Sequence, residues 1–327
     1  MAGTTDETTT VAPPTHSAAP GPTVVRPRPS AAAAFALDPT EPIATGVSRV
    51  AIGQLNVIAA RLTEAGGPSA EGVHESRKSL KRLRALARLA RPALGEQRYR
   101  DTNAALRDAA AHLAGARDAE VMLATLDGLV RRHPSRCPEG AFDGLRERLH
   151  AERGDEARTL GDAGATIVMA ELEDVPGAIS TWLPADADFA VLEPGLRRIY
   201  AEGRERYRGV RKRASTEALH DWRKRVKDLR YMSELLGAAD PPRMRRLGDL
   251  ADRLGETLGD DHDLGVLATL VRADGETFAD PADRKLLLRL IRRRRATLQR
   301  RALKLGRRLY RRRPRRFGAD VARSWAR

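Results

Sequence analysis

The chain has 327 residues, with 59 Lys and Arg against 44 Asp and Glu, giving a net charge of +15 and an isoelectric point near 10.8. That length allows one large or two medium domains with a buried core, and so basic a surface points to a polyanionic partner: nucleic acid, acidic lipid or polyphosphate. A lone cysteine, Cys137, excludes an internal disulfide framework and a cysteine-built zinc site and fits a reducing cytoplasm, while the lack of a basic-then-apolar leader and of any run of about 18 apolar residues predicts a soluble intracellular chain without a membrane span.

Residues 1–37 are rich in Thr, Pro, Ala, Ser and Gly with no hydrophobic period, the composition of a disordered tail. From Asp38 onward Ala, Leu and Arg dominate, apolar residues recur at three and four, and no convincing strand occurs. Helices are predicted over 40–64, 70–91, 97–132 with a break near Gly115, and 139–171. The Gly66-Gly67-Pro68, Arg91-Pro92 and Pro134 to Pro138 signals separate them. Residues 175–185 read as a linker. The second half repeats the plan, with helices at 187–209, 214–236, 242–270 with a break near Gly259, and 281–312, before a C-terminal tail at 317–327. The expected fold class is therefore all-α, with helical halves at 38–174 and 186–316 forming two pseudo-symmetric bundles from an internal duplication around a basic central cavity.

The duplication is written in one motif. His74-Glu-Ser-Arg77-Lys78-Ser-Leu-Lys81-Arg-Leu-Arg84 returns 146 residues later as His220-Asp-Trp-Arg223-Lys224-Arg-Val-Lys227-Asp-Leu-Arg230. Only seven lysines occur beside 52 arginines, an arginine excess typical of GC-rich coding, yet four of the seven fall at matching positions of the two copies. At about 100° per residue, His74, Arg77, Lys78, Lys81, Arg84 and Arg88 share one helical arc. His220, Arg223, Lys224, Lys227 and Arg230 share another, opposite Trp222, Val226, Leu229, Met232 and Leu236. Like charges stacked at these spacings repel, so an anion lying along the stripe compensates them. A solvated charged face is the plain alternative for one such helix, and its recurrence argues against that.

A second echo pairs Gly115-Ala-Arg117-Asp118-Ala-Glu-Val121 with Asp260-Asp-His262-Asp263-Leu-Gly-Val266. With Tyr207-Arg208-x-x-Arg211-Lys212 and Leu305-Gly-x-Arg308-Leu309-Tyr310-x-x-x-Pro314, these motifs resemble the CHAD family, the conserved histidine α-helical domain, over residues 40–315. The resemblance implies binding of inorganic polyphosphate in a basic cavity between two helical bundles, and association with polyphosphate granules. It also implies second-rank contacts from Arg208, Arg211, Lys212 and Lys304. The triphosphate-tunnel domain often fused to such chains, with its E-x-E-x-K signature, is absent from this sequence.

Polyphosphate needs rows of donors. Arg77, Arg84, Arg223 and Arg230 supply planar bidentate pairs, and Lys78, Lys81, Lys224 and Lys227 supply compact charges. Crowding by cations favours neutral His74 and His220 until a polyanion arrives. Arg117-Asp118 and His262-Asp263 read as helix-start caps or internal ion pairs. The run from Asp260 to Asp263 cannot converge on one metal from a single turn, no nucleophile elbow or P-loop occurs, and no catalytic residue, metal or cofactor is expected. The basic run from Arg292 to Arg316 suits a solvated helix face or nucleic acid, but aromatics are only 4% of the chain, too few for stacking platforms. The expected function is a non-catalytic polyphosphate-binding protein, cytoplasmic and granule-associated. The alternatives are sequence-nonspecific nucleic-acid binding and an accessory role beside a separate phosphate-metabolising enzyme. Oligomeric state is not legible.

Overall fold

The computed structural model describes residues 35–64, 67–113, 118–159, 162–274 and 277–326, and among them the chain is α-helical with no strand. Helices α1 (Ile43–Leu62), α2 (Ala70–Leu94), α3 (Glu96–His112), α4 (Asp118–Arg131), α5 (Asp143–Thr159) and α6 (Asp162–Glu171) fill the first half. A short α7 (Val175–Ile179) leads to α8 (Glu193–Lys212), α9 (Thr216–Leu235), α10 (Pro241–Ala273), α11 (Pro281–Leu309) and α12 (Pro314–Trp325). The all-α expectation holds.

The apolar residues sort into two cores, and neither follows the halves of the sequence. The larger takes Val47 and Val50 from α1, Leu83 and Leu86 from α2, Leu196 from α8, and Trp222 and Leu229 from α9, all 0–1% exposed. The smaller packs Leu126 of α4 and Leu145 of α5 against Leu267 of α10 and Leu287 of α11. The long α10 and α11 pass through both cores, so the continuous helix ties them together. The break expected near Gly259 does not occur, because flanking Leu254, Leu258 and Leu264 are buried on one unbroken face that outweighs the modest helix cost of glycine. The break expected near Gly115 falls on residues 114–117, outside the described ones.

Four further expectations are corrected. The chain is packed from Phe35 onward. Phe35 and Leu37 are 3% and 2% exposed, and the Leu37 amide donates to the Leu235 carbonyl at 2.9 Å; the rest of the predicted tail lies outside the described residues. The helix expected to stop before Pro92 runs two residues past it and ends at Gly95, whose φ of 76° suits a glycine. Residues 175–185 are no loose linker, since Val175, Ile179 and Trp182 are buried. The C-terminal tail is a helix, because Phe317, Val321 and Trp325 fall four apart on one face. Phe317 and Val321 are buried, and the Trp325 ring stacks on Phe189 at 5.1 Å. One helix among the described residues, α1, is long and apolar enough to cross a membrane by length and composition. Arg49 and Arg61 interrupt it in sequence, and its Val47, Val50 and Ile58 are fully buried.

The Leu305-Gly306 motif explains itself through packing. A Cβ on Gly306 would lie 2.6 Å from Trp222 Cζ2 and 2.7 Å from Tyr207 Cδ2, and Tyr310 stacks on Tyr207 at 6.0 Å between centroids. This aromatic cluster seats the start of α9 against α8 and α11. Gly306→Ala is therefore expected to cost about 1–3 kcal/mol through overpacking of rings that cannot flex away. Gly255→Ala, whose Cβ would meet only Val226 at 3.9 Å, should be neutral or stabilising by up to about 1 kcal/mol. Denaturant melts of the two variants that coincide would refute this account.

Candidate site on the paired basic helices

Both histidine helices begin in the same way. Ser69 accepts a hydrogen bond from the Gly72 amide at 3.0 Å, and Ser215 accepts one from the Ala218 amide at 3.1 Å. Glu71 and Glu217 follow in the first turns. Each helix start thus has a cap and a negative charge at its positive dipole end, leaving the basic residues further along to face elsewhere. Trp222, Val226, Leu229 and Met232 of α9, and Leu236 just past its end, are all buried as expected, at 0–1% exposure.

The two helices meet antiparallel. Arg82 of α2 pairs with Glu234 of α9, and Arg88 pairs with Asp228 at 2.7 Å with both side chains 11% exposed. Adding 146 to 82 gives 228 and adding it to 88 gives 234, so the two pairs exchange under the repeat offset, as contacts about a local two-fold do. Arg82 also lies over the Phe35 ring at 5.2 Å, and that ring meets Tyr231 edge-on at 6.2 Å. The segment before α1 therefore clamps this crossing. His74 and His220 head the stripes from opposite ends.

Lys227 sits where the stripes converge. Burial, then Arg223 and Lys81, push its pKa down to about 8, with Arg230 adding to the shift and Asp263 of α10 opposing it. The guanidinium of Arg223 lies against Gly259 of α10, where a Cβ would come within 3.2 Å of it, and its buried Nε has no hydrogen-bond partner among the described residues. The His220 ring packs on His262 at 4.5 Å between centroids, and its buried Nδ1 has no partner among the described residues. Burial, then Lys224 and His262, lowers the His220 pKa. This is the direction that cation crowding predicts, although burial contributes more. His74 is exposed.

Other stripe residues are already engaged to differing degrees. Arg88 is committed to Asp228, and despite burial that carboxylate holds its pKa up. This site residue acts as a strut between α2 and α9. Arg230 pairs with Asp252 at 2.7 Å and Glu234 at 3.4 Å. Arg84 donates to Asn103 of α3 at 3.2 Å, and burial, then Arg88, lowers its pKa. Lys78 leans on Glu75 at 3.2 Å and Lys224 on Asp221 at 3.1 Å, partly exposed contacts within one helix that hold little energy. Arg77, Arg223 and Lys227 make no ion pair among the described residues.

Of the second-rank residues, Arg208 lies apart from this site. Arg208 lines a separate cavity with Arg204 and Arg313 that no stripe residue reaches. Arg211 lies over the Tyr207 ring at 5.8 Å, and Lys212 and Lys304 are exposed. The acidic run on α10 divides by direction. Asp260 lies 3.7 Å from Arg294, and buried Asp261 accepts from Arg295 at 3.0 Å and from Gln299 at 2.9 Å. His262 packs on His220, and Asp263 faces Lys227. His262-Asp263 is therefore mid-helix and lines the site, which corrects its reading as a cap. Asp118 is the first residue of α4, and Arg117 lies outside the described residues. No group of three or more His, Cys, Asp or Glu among the described residues is placed to hold a metal ion.

Asn103, Gly259, His262 and Asp263 are the site residues that sequence reading missed. A signal for the α10 set was present. Arg230 with Asp252, Arg223 with Gly259 and His220 with His262 are each equidistant in sequence from Pro241, as an antiparallel helix hairpin folded there requires.

A helical fold that sets two histidine-headed basic helices side by side, with a third helix facing them, defines an α-helical protein with paired cationic stripes. The chain belongs to the CHAD family: the CHAD domain matches residues 50–272, about two thirds of the sequence. The match runs from α1 through α10 and contains both histidine helices, His262 and Asp263. No curated protein matches the chain.

Proposed function

We propose that this protein binds inorganic polyphosphate along the two basic stripes, which together line one anion channel, and that it performs no chemistry alone. The observation that carries this reading is the junction of Lys227, Lys81 and Arg223. Three cations converge there, one with a depressed pKa and one with a buried, unpartnered Nε. Burying cations against cations is costly, and a bound polyanion removes that cost while accepting from rows of donors. Membership of the CHAD family supports the same ligand. A cytoplasmic, granule-associated role follows from that ligand and is part of the proposal.

The test is calorimetric titration with polyphosphate of defined length and with a charge-matched DNA duplex, each at two salt concentrations. Tight polyphosphate binding that survives the higher salt, with weak DNA binding, is the expected result. Equal affinities with equally steep salt loss would replace this reading with nonspecific nucleic-acid binding, for which the exposed C-terminal arginines would then account.

The depressed pKa values set a pH dependence. Bound phosphates favour the charged form of Lys227, so its pKa rises on binding and the complex takes up a proton once free Lys227 has lost one. Affinity is expected to fall as pH climbs above about 8, by up to about tenfold per unit for one linked proton. His220, whose pKa burial and then Lys224 and His262 hold below the ordinary imidazole value, gives a second window in which affinity rises as pH falls below the ordinary histidine range. The free protein behaves oppositely at the upper window. Its stability rises between about pH 8 and the ordinary lysine range, because the unfolded chain holds a proton that native Lys227 has released. Lys227→Gln should flatten the upper affinity window and His220→Gln the lower one. Profiles unchanged in both variants would refute the assignment.

A further inference from the structure

A second arginine cluster lies across α10 from the stripes. Asp252, Gly259 and Asp263 face α9, while Arg243, Leu247 and Leu250 lie about half a turn round the same helix at about 100° per residue. There they line a cavity of 490 Å³ closed by Tyr200 of α8, the end of α11 and Phe317 of α12. Its volume falls in the range of small-molecule sites, and it shares no residue with the stripes.

Its charges divide into fixed and open ones. Arg243 and Arg312 converge with Arg323 on Asp320, so their charge is answered and they form a rigid wall. The Tyr200 hydroxyl donates to the Leu309 carbonyl at 3.1 Å and accepts from the Arg312 amide at 3.3 Å. Asp240, the one lining carboxylate, is occupied as a helix cap, accepting from the Arg243 amide at 3.1 Å. Arg246, Arg308 and Arg311 remain exposed at the rim and make no ion pair among the described residues. Three open guanidinium groups around one cavity suit two or more phosphoryl groups.

The rest of the wall is apolar. Leu247, Leu250, Leu309 and Phe317 line it, and Phe317 is stacked on Tyr200 at 4.2 Å between centroids. A bare phosphate chain gains nothing from such a wall, whereas a ligand with a ring system and a phosphate tail uses both parts. We propose that this cavity binds a nucleoside diphosphate, with its base and sugar against the part-exposed Leu247 and Leu250 and its phosphates on Arg246, Arg308 and Arg311.

The test titrates the full chain with ADP and, separately, with inorganic pyrophosphate. The variants compared are Arg308→Glu/Arg311→Glu in the cavity and Lys227→Glu in the stripes. ADP is expected to bind more tightly than pyrophosphate, to be weakened at least about tenfold by the cavity pair of substitutions, and to keep its affinity within about twofold in Lys227→Glu. Both cavity arginines are exposed, so melting should be unchanged, and Arg246→Gln gives an independent check with a smaller charge change. The proposal is overturned if ADP fails to bind, if pyrophosphate binds as tightly as ADP, or if Lys227→Glu weakens ADP as much as the cavity variant does. Polyphosphate binding that survives in the cavity variant keeps the two sites distinguishable.

Discussion

Replacing Lys78, Lys81, Lys224 and Lys227 together by glutamate is expected to weaken polyphosphate binding by about three orders of magnitude or more at moderate salt. Each substitution takes away one cation that neutralises a phosphate and adds a repulsive charge, so the slope of log affinity against log salt should also become shallower by about one for each cation replaced. The fold should survive. Lys81 and Lys224 are exposed and Lys78 only partly buried, and Lys227, the most enclosed, gains attractive neighbours in Arg223 and Arg230 when it becomes acidic. Helical content and melting temperature should therefore stay close to those of the unmodified chain, which separates a binding defect from a folding defect. The four are not equal. Lys227→Glu alone should account for the largest single share, because its charge is partly desolvated and in no ion pair among the described residues, while Lys224→Glu mainly replaces a solvated pair with Asp221. Binding that persists within about tenfold in the fourfold variant would sink the stripe assignment.

How much of this was legible beforehand depends on which interactions are local. The two stripes, their serine starts and their opposed apolar faces are properties of single helices, so period and spacing disclose them. What each cation meets is not local. Arg88 and Arg230 carry the same charge on the same arc as Arg77 and Arg223, yet the first two are answered by Asp228 and by Asp252 with Glu234. Asp228 and Asp252 reach their arginines from other helices, whereas Glu234 lies one turn along α9 from Arg230. Periodicity counts charges on a face and says nothing about the acids opposite them.

The fold departs from expectation where a glycine, a proline or an arginine run reads as an interruption. Gly259 sits in an unbroken helix and makes room for Arg223. Pro92 ends no helix, since the cost of one missing hydrogen bond falls in the last turn of α2. The arginines after α11 conceal α12, whose spaced Phe317, Val321 and Trp325 are its only apolar signal. The division into two bundles by sequence half also fails to describe the cores, because α4 and α5 find their partners on α10 and α11. Pairing between distant helices is decided by which apolar faces remain uncovered, and a single sequence does not state that.

The largest stability effect is expected from the strut between α2 and α9. Asp228→Ala should destabilise the protein by about 3–5 kcal/mol, since it leaves the buried Arg88 guanidinium without its counter-charge. Arg225, which also reaches Asp228 at 3.2 Å, retains Glu202 at 3.0 Å and is not orphaned. The double substitution Arg88→Met/Asp228→Leu removes both charges and keeps apolar volume, so it should recover all but about 1–2 kcal/mol of the loss. That recovery distinguishes an uncompensated charge from the simple absence of an attraction, because independent losses would add. Denaturant unfolding of the single and double variants measures it, and a double variant less stable than Asp228→Ala would contradict the account. The junction should respond as well. With Arg88 unpaired, one of the two ion pairs that bridge α2 and α9 is lost while Arg82–Glu234 and the Phe35 clamp remain, so the alignment of the stripes loosens. The affinity loss of Asp228→Ala should then greatly exceed that of the double variant, although neither change touches a cation proposed to contact phosphate directly other than Arg88 itself. If the two variants lose affinity equally, Arg88 is a phosphate ligand in its own right and the strut is secondary.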